Sequence, residues 1–266
     1  MTNITQFAPR LLKAWTVAVL VFILAPLVVV SLISVTTFDY IHLPTQGVTL
    51  KWFKAALNSQ VFIDAAVHSF VLAMLSSLVA LVIGTGLALA TVRYRFPGRS
   101  AIATLGLAPL FVPMVMIALA LLLTANGMGM RDAWTRLLVG HSILTLPYVV
   151  RTMTASLTGF DLNQELAARN LGASPLSAFV RVTLPQLGPG LMAGGVFAFI
   201  ISLDNVAVSI FLAGADVTTL PVQLFAYASY KSDPMVAAVS VLIIVFSLAI
   251  VAIAEKLFGI QKLLRG

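Results

Sequence analysis

Six stretches of this chain are apolar for roughly the 20 residues that an α-helix needs to cross a bilayer. They fall at about Ala14–Val35, Ala66–Thr91, Ala101–Thr124, Leu137–Leu157, Gly188–Ala213 and Met235–Leu257. A lipid-exposed backbone has no water to bond, so such runs must satisfy their amides internally, as helix. The runs are continuous, unlike the alternating ten-residue strands of a membrane barrel. Only 9% of the residues are charged, against about 25% in soluble proteins, and burial in a core cannot account for the difference. The expected fold class is therefore all-α: a polytopic membrane protein with six transmembrane helices. The first apolar run is longer than a secretory leader and lacks a small-x-small cleavage pattern, so it reads as a retained helix.

The basic residues set the orientation. With a cytoplasmic N-terminus, Arg10, Lys13, Arg93, Arg95, Arg99, Arg151, Arg169, Arg181, Lys256, Lys262 and Arg265 lie inside. Lys51, Lys54, Arg131, Arg136 and Lys231 lie outside. Eleven of 16 on one side places both termini in the cytoplasm. The net charge of +7 thus reads as membrane orientation and not as a nucleic-acid footprint. There is no cysteine, hence no disulfide framework, thiolate chemistry or Cys-based metal site. His42, His68 and His141 are scattered and read as helix-end or interfacial residues. Pro26, Pro109, Pro113, Gly84, Gly86, Gly194 and Gly195 interrupt the apolar runs and read as packing and kink positions, with Gly190 and Gly194 forming a GxxxG pair.

The longest polar-leaning interruption in the second half is Asp161–Pro185, which the charge argument puts in the cytoplasm between the fourth and fifth helices. Its punctuation predicts two short helices. Asp161 followed by Gln164 resembles a capping box, and LNQELAARNL is rich in helix formers. Gly172 suits a left-handed C-terminus. Ser174–Pro175 supplies an N-cap with proline at the first helical position. The second helix, near Pro175–Thr183, is expected to stop at Pro185. Ala167 and Ala168 offer a flat surface that another protein can approach closely.

The run ELAARNLGASPLSAFVRVTLPQLGPGL resembles the EAA loop of permease subunits of ABC importers. Ala167, Ala168, Gly172, Val182, Leu184 and Pro185 match that pattern. One position departs: the family's glutamate slot holds Leu166, and the acid sits one residue earlier, at Glu165. TLKWFKAAL with AAVHSFVLAMLSSLVALVIGTGLALA, and SLDNVAVSIFLAGADVTTLPVQLFAYASYKSDPMVAAVS, resemble segments of permeases for spermidine, putrescine and related cations. Relatives of that family import iron, thiamine, sulfate and other solutes.

The resemblance implies a multi-pass protein of the bacterial inner membrane that works with a second permease subunit, a paralogue by family analogy. It further implies two cytoplasmic ATPase subunits and an external solute-binding protein. It divides the chain into residues 1–62 (tail, first helix and external loop), a type I transmembrane domain at 63–258 and a cytoplasmic tail at 259–266. No cofactor is expected on this chain; ATP and magnesium would sit on the partner subunits, because no Gly-Lys pair of a P-loop occurs here. Neither HExxH nor GxSxG occurs. A polytopic enzyme would need a cluster of ionisable residues at one depth, and an ion-coupled carrier repeat symmetry with several intramembrane charges; neither pattern is present.

The candidate ATPase-coupling residues are Leu162, Glu165, Leu166, Ala167, Ala168, Arg169, Gly172, Ala173, Ser174 and Pro175. Asp204, with Asn205 and Ser202, is expected on the substrate path. In a continuous fifth helix it would lie about 14 Å from the outer end and about 24 Å from the inner. Trp52, Tyr227, Tyr230 and Lys231 are expected to meet the binding protein.

Overall fold

The computed structural model describes residues 4–214 and 216–258, and every regular element among them is helical. In chain order these are α1 (Ile4–Ser34), α2 (Lys51–Leu57), α3 (Gln60–Arg93), α4 (Arg99–Leu107), α5 (Met114–Gly127) and α6 (Ala133–Thr158). There follow α7 (Leu162–Asn170), α8 (Pro175–Ala178), α9 (Leu184–Gln186), α10 (Gly188–Leu203), α11 (Ala207–Leu212), α12 (Leu220–Tyr230) and α13 (Met235–Phe258). A π-helical stretch, Phe179–Thr183, joins α8 to α9. The expected tail at 259–266, with Lys262 and Arg265, lies outside the described residues.

Three helices are long and apolar enough to cross a membrane unaided: Leu11–Ser34, Gln60–Arg93 and Met235–Lys256. Two further candidates are bent pairs, which bring the total to five. Arg99–Leu110 meets Met114–Gly127 at 106°, and Pro175–Gln186 meets Gly188–Leu203 at 63°. The third apolar run is therefore not the single helix expected over Ala101–Thr124. Pro113 has no amide to donate and does not continue the helix (φ −54°, ψ 130°), so a new helix starts at Met114. The fifth run is also interrupted: α10 ends at Leu203 and α11 begins at Ala207. Among the described residues α6 is long enough but not apolar enough to qualify, because Arg136, His141 and Arg151 lie along it.

The chain forms two compact units. The first comprises, of the described residues, 4–63 and 224–246. In it the segment after α1 folds back on itself: the Thr37 amide donates to Gln46 O (3.1 Å) and the Thr49 amide to Val35 O (2.8 Å). Lys51 pairs with Asp39 at 2.7 Å.

The second unit comprises, of the described residues, 64–214, 216–223 and 247–258. Here α6 packs against α4, α5, α10 and α11. Toward one end Leu137 and Leu144 pack with Leu72, Ala118, Val208 and Leu212. Toward the other, Val149, Met153 and Leu157 pack with Ala80, Ala88, Leu187 and Ala198. The GxxxG pair lies on this seam. A Cβ on Gly194 would stand 3.3 Å from Val149 Cα, and one on Gly190 would overlap the Ser156 side chain. In lipid, where no hydrophobic gain drives helices together, such close backbone approach supplies the packing.

Candidate functional site

The break between α10 and α11 brings together the polar residues of an otherwise apolar region. Asp204 caps the C-terminus of α10, and its amide donates to Ile200 O at 3.1 Å. Its side chain is exposed and has no hydrogen-bond or ion-pair partner among the described residues. Asn205 behaves oppositely. It is 7% exposed, and its Oδ1 accepts from the Val208 amide at 2.7 Å, satisfying a donor in the first turn of α11. Its Nδ2 lies 3.6 Å from Met114 Sδ, at the start of α5. The α10–α11 break and the bend before α5 thus meet side by side. Irregular backbone inside a membrane protein is tolerated where it is buried in protein or lines a cavity.

A chain of buried hydrogen bonds fixes the break. Ser209 Oγ donates to Asn205 O at 2.7 Å, so its oxygen is left to accept from His141 Nε2 at 2.9 Å. With the proton on Nε2, His141 Nδ1 accepts from Ser202 Oγ at 2.8 Å. Ser202 in turn accepts from Ser76 Oγ at 2.9 Å. In this tautomer the bonds from Asn205 to Ser202 run in one direction, while Ser76 Oγ also reaches Ala73 O at 3.3 Å; the members come from α3, α6, α10 and α11. Ser202 is consequently committed to structure, and the exposed group at the break is Asp204. Sequence reasoning missed His141, whose side-chain partners lie 61 and 68 residues away.

The segment 161–187 forms the expected helix–turn–helix. Asp161 Oδ1 accepts from the Asn163 amide at 3.0 Å. This is a simple N-cap and not the capping box, since Asp161 takes the second amide of the helix and the Gln164 side chain turns away to accept from Gln186 Nε2. The Ala173 amide reaches Ala168 O (3.1 Å) and the Gly172 amide Arg169 O (3.0 Å), the paired bonds of a Schellman ending. That geometry places Gly172 at φ +96°. Ser174 Oγ accepts from the Ser177 amide at 3.2 Å, with Pro175 next in the chain. Beyond this point the expectation fails: the helix does not stop at Pro185. It runs through the π stretch into α9, with Pro185 inside α9 and the 63° bend before α10.

The loop helix α7 has two distinct sides. Leu162 (51% exposed), Leu166 (48%), Ala167 and Arg169 face outward, as does Leu171 (90%) just past its end. Leu176 (73%) adds to this apolar surface from α8, while Ala168 and Ala173 are half-buried. Glu165 points inward. Its Oε2 lies 2.8 Å from Arg93 Nη1 and accepts from Thr183 Oγ1 at 2.6 Å. Burial alone would raise this carboxyl, but the bonds from Thr183 and Arg93 outweigh it and hold the group below the ordinary glutamate value.

In the first unit, Trp52 is half-buried and donates from Nε1 to Thr36 O at 3.1 Å, beneath the Lys51 ammonium (4.7 Å to the ring centre). The Tyr227 hydroxyl donates to Asp233 Oδ2 at 2.7 Å, and Lys231 lies 5.3 Å from its ring centre. Burial first, and the bond to Asp233 second, push that hydroxyl up to about 12. Tyr230, by contrast, is 89% exposed.

Residues 80–258, which contain both the α10–α11 break and the loop helix, match the family described as binding-protein-dependent transport system inner membrane component. The chain belongs to this family. The permease is similar to the spermidine/putrescine transport system permease protein PotC of Haemophilus influenzae, 32% identical over 82% of this chain and 84% of that protein. PotC of Escherichia coli K12 is 31% identical over 95% and 96% of the two chains. The fold is that of a chain from a bacterial ABC transporter involved in alginate import, at TM-score 0.73 and 17% identity, covering 97% of this chain and 99% of that one. The permease is accordingly an inner-membrane subunit of an ABC importer.

Proposed function

We propose that this permease forms half of the translocation path for a small cationic solute of the polyamine type, such as spermidine or putrescine. The observation that carries this reading is Asp204: an exposed carboxylate without a partner among the described residues, at a break in an apolar helix. A carboxylate at the centre of a membrane helix costs on the order of 2.5–3.5 kcal/mol, so one in this apolar run belongs against a wet path or a cation. A polyamine supplies ammonium groups, and PotC is a relative named for carrying them. A basic residue of the second permease subunit is the competing partner.

In this reading the chain crosses the membrane six times with both termini in the cytoplasm, α6 and the two broken helices counting as spans. Residues 63–258 are the transmembrane domain. The outward face of α7 and the Gly172–Pro175 turn dock on an ATPase subunit, which binds ATP and magnesium and performs the hydrolysis. A solute-binding protein delivers the substrate from outside, and a second permease subunit, a paralogue, completes the path. ATP-driven closure of the ATPases moves the loop helices and opens the bundle outward.

The test is purification of the tagged permease in mild detergent, identification of what accompanies it, and reconstitution into liposomes. Expected are a Walker-motif ATPase in the complex and ATP-dependent uptake of labelled spermidine or putrescine when the binding protein is supplied. Uptake of an anion in their place, or the absence of any ATPase, overturns the reading.

A further inference from the structure

Arg93 is the last residue of α3, and a single guanidinium there ties together three elements. Nη1 pairs with Glu165 on α7 at 2.8 Å, and Nη2 lies 3.5 Å from Thr183 Oγ1 in the π stretch. Thr183 is fully buried and closes the triangle through its own 2.6 Å bond to the same Glu165 oxygen. The guanidinium carbon also stands 5.6 Å from the ring centre of Phe160, just before α7, and 5.7 Å from that of Phe179, which opens the π stretch. The charged side chains are only 14% and 13% exposed.

An ion pair this shielded is a poor source of stability, because desolvation offsets much of its attraction. It is a good source of geometry, since a planar guanidinium between two rings with a carboxylate and a hydroxyl on its edge has few other places to sit. The π-helical turn points the same way, as such turns are rare and frequently sit at functional positions. The departure at Leu166 then acquires a physical sense. The slot occupied by glutamate in the family pattern lies on the outward, apolar side of α7, and the shift of one residue carries the acid to the inward side. There it cannot meet a docking partner and instead meets Arg93.

We propose that Arg93, Glu165 and Thr183 are positioning residues that lock the loop helix to the end of α3 and to the π stretch leading into α10. A push on the outward face of α7 is thereby delivered to two membrane helices together. The proposal rests on the reading that α7 meets an ATPase subunit.

The experiment compares solute taken up per ATP hydrolysed in reconstituted complexes. Glu165→Gln preserves shape and removes the charge, Thr183→Val removes one donor, and Arg93→Lys keeps the charge but loses the planar fork. Each is expected to keep the ATPase bound and hydrolysing while uptake per ATP falls, by about tenfold for Glu165→Gln, the scale of one charge-assisted hydrogen bond. The double exchange Arg93→Glu with Glu165→Arg is expected to recover part of the ratio. If uptake and hydrolysis fall in the same proportion in every variant, the cluster is merely structural and the proposal is overturned. Dissociation of the ATPase by Glu165→Gln but not by Arg93→Lys also overturns it, by making the acid a docking contact. A wild-type complex without an ATPase defeats the underlying reading instead, and is seen before any variant is made.

Discussion

His141 joins Ser202 to Ser209 across the α10–α11 break, its two ring nitrogens 2.8 Å and 2.9 Å from their hydroxyl oxygens. One serine belongs to the helix before the interruption and the other to the helix after it. The imidazole is 0% exposed, so its removal opens a cavity among buried hydroxyls. His141→Ala leaves buried hydroxyls short of a partner, each costing about 1–3 kcal/mol. The expected outcome is a clear fall in Tm of the detergent-solubilised complex together with loss of uptake. His141→Asn, which offers a donor and an acceptor on a shorter stem, should fall between. A His141→Ala variant with unchanged Tm and transport would show that the network does not hold the break.

Gly172 provides a test of the loop free of packing effects. Its φ is +96°, and no heavy atom stands within 4 Å of where a Cβ would be. Any penalty therefore comes from the backbone, about 1–2 kcal/mol for a residue forced out of its ordinary region. Gly172→Val should impair coupled uptake more than Gly172→Asn, because asparagine tolerates left-handed backbone better. Equal transport by both variants would remove the turn from the coupling device.

The carboxyl of Glu165 gives a pH signature. Its folded value lies below the ordinary 4.5, the bonds from Thr183 and Arg93 overcoming the effect of burial. A depressed carboxyl stabilises fully above its unfolded value, and the contribution disappears as pH falls through the folded one. The Tm difference between wild type and Glu165→Gln should thus be constant near neutrality and shrink only as the pH drops below about 4.5. A difference that grows on acidification would mean the acid is not held as an anion.

On the expected external side, the aromatic residues separate into internal and free ones. Tyr227 is engaged with Asp233, and Trp52 with Thr36, whereas Tyr230 is 89% exposed. An exposed tyrosine at the centre of an interface contributes more than about 1 kcal/mol. Tyr230→Ala should weaken binding-protein docking several-fold without changing Tm. Tyr227→Phe should do the reverse. Inverted results would make Tyr227 the contact.

What was legible in the sequence follows the range of the interactions. The punctuation from Asp161 to Ser177 was readable because the capping and turn bonds that set it span five residues or fewer: Asp161 with Asn163, Ala168 with Ala173, Ser174 with Ser177. The breaks were not. An apolar run has the same composition straight or bent, and the bend depends on what satisfies the freed backbone. At the α10–α11 break that is Ser209, held by His141 from another helix. Asn205 offered a local hint, an N-cap residue type three places before the Val208 amide that it satisfies. Leu166 was legible as a departure from the family pattern, but only the folded loop reveals that Glu165 faces Arg93 instead.

Asp204→Asn tests the substrate reading most directly. The change nearly preserves shape and removes only the charge. Because the carboxylate has no partner among the described residues, no folded contact depends on that charge. The amide is also easier to desolvate than the anion, so Tm should hold or rise slightly. If the carboxylate meets a substrate ammonium, losing a charge-assisted hydrogen bond should raise the apparent KM for spermidine or putrescine about ten- to a hundredfold. Asp204→Glu, which keeps the charge on a longer stem, should lose less. Added salt should weaken uptake by wild type more than by Asp204→Asn, since screening acts only where a charge remains. Unaltered KM and rate in Asp204→Asn would remove the residue from the path, and a lowered Tm with unaltered KM would assign it to contacts with a neighbouring subunit.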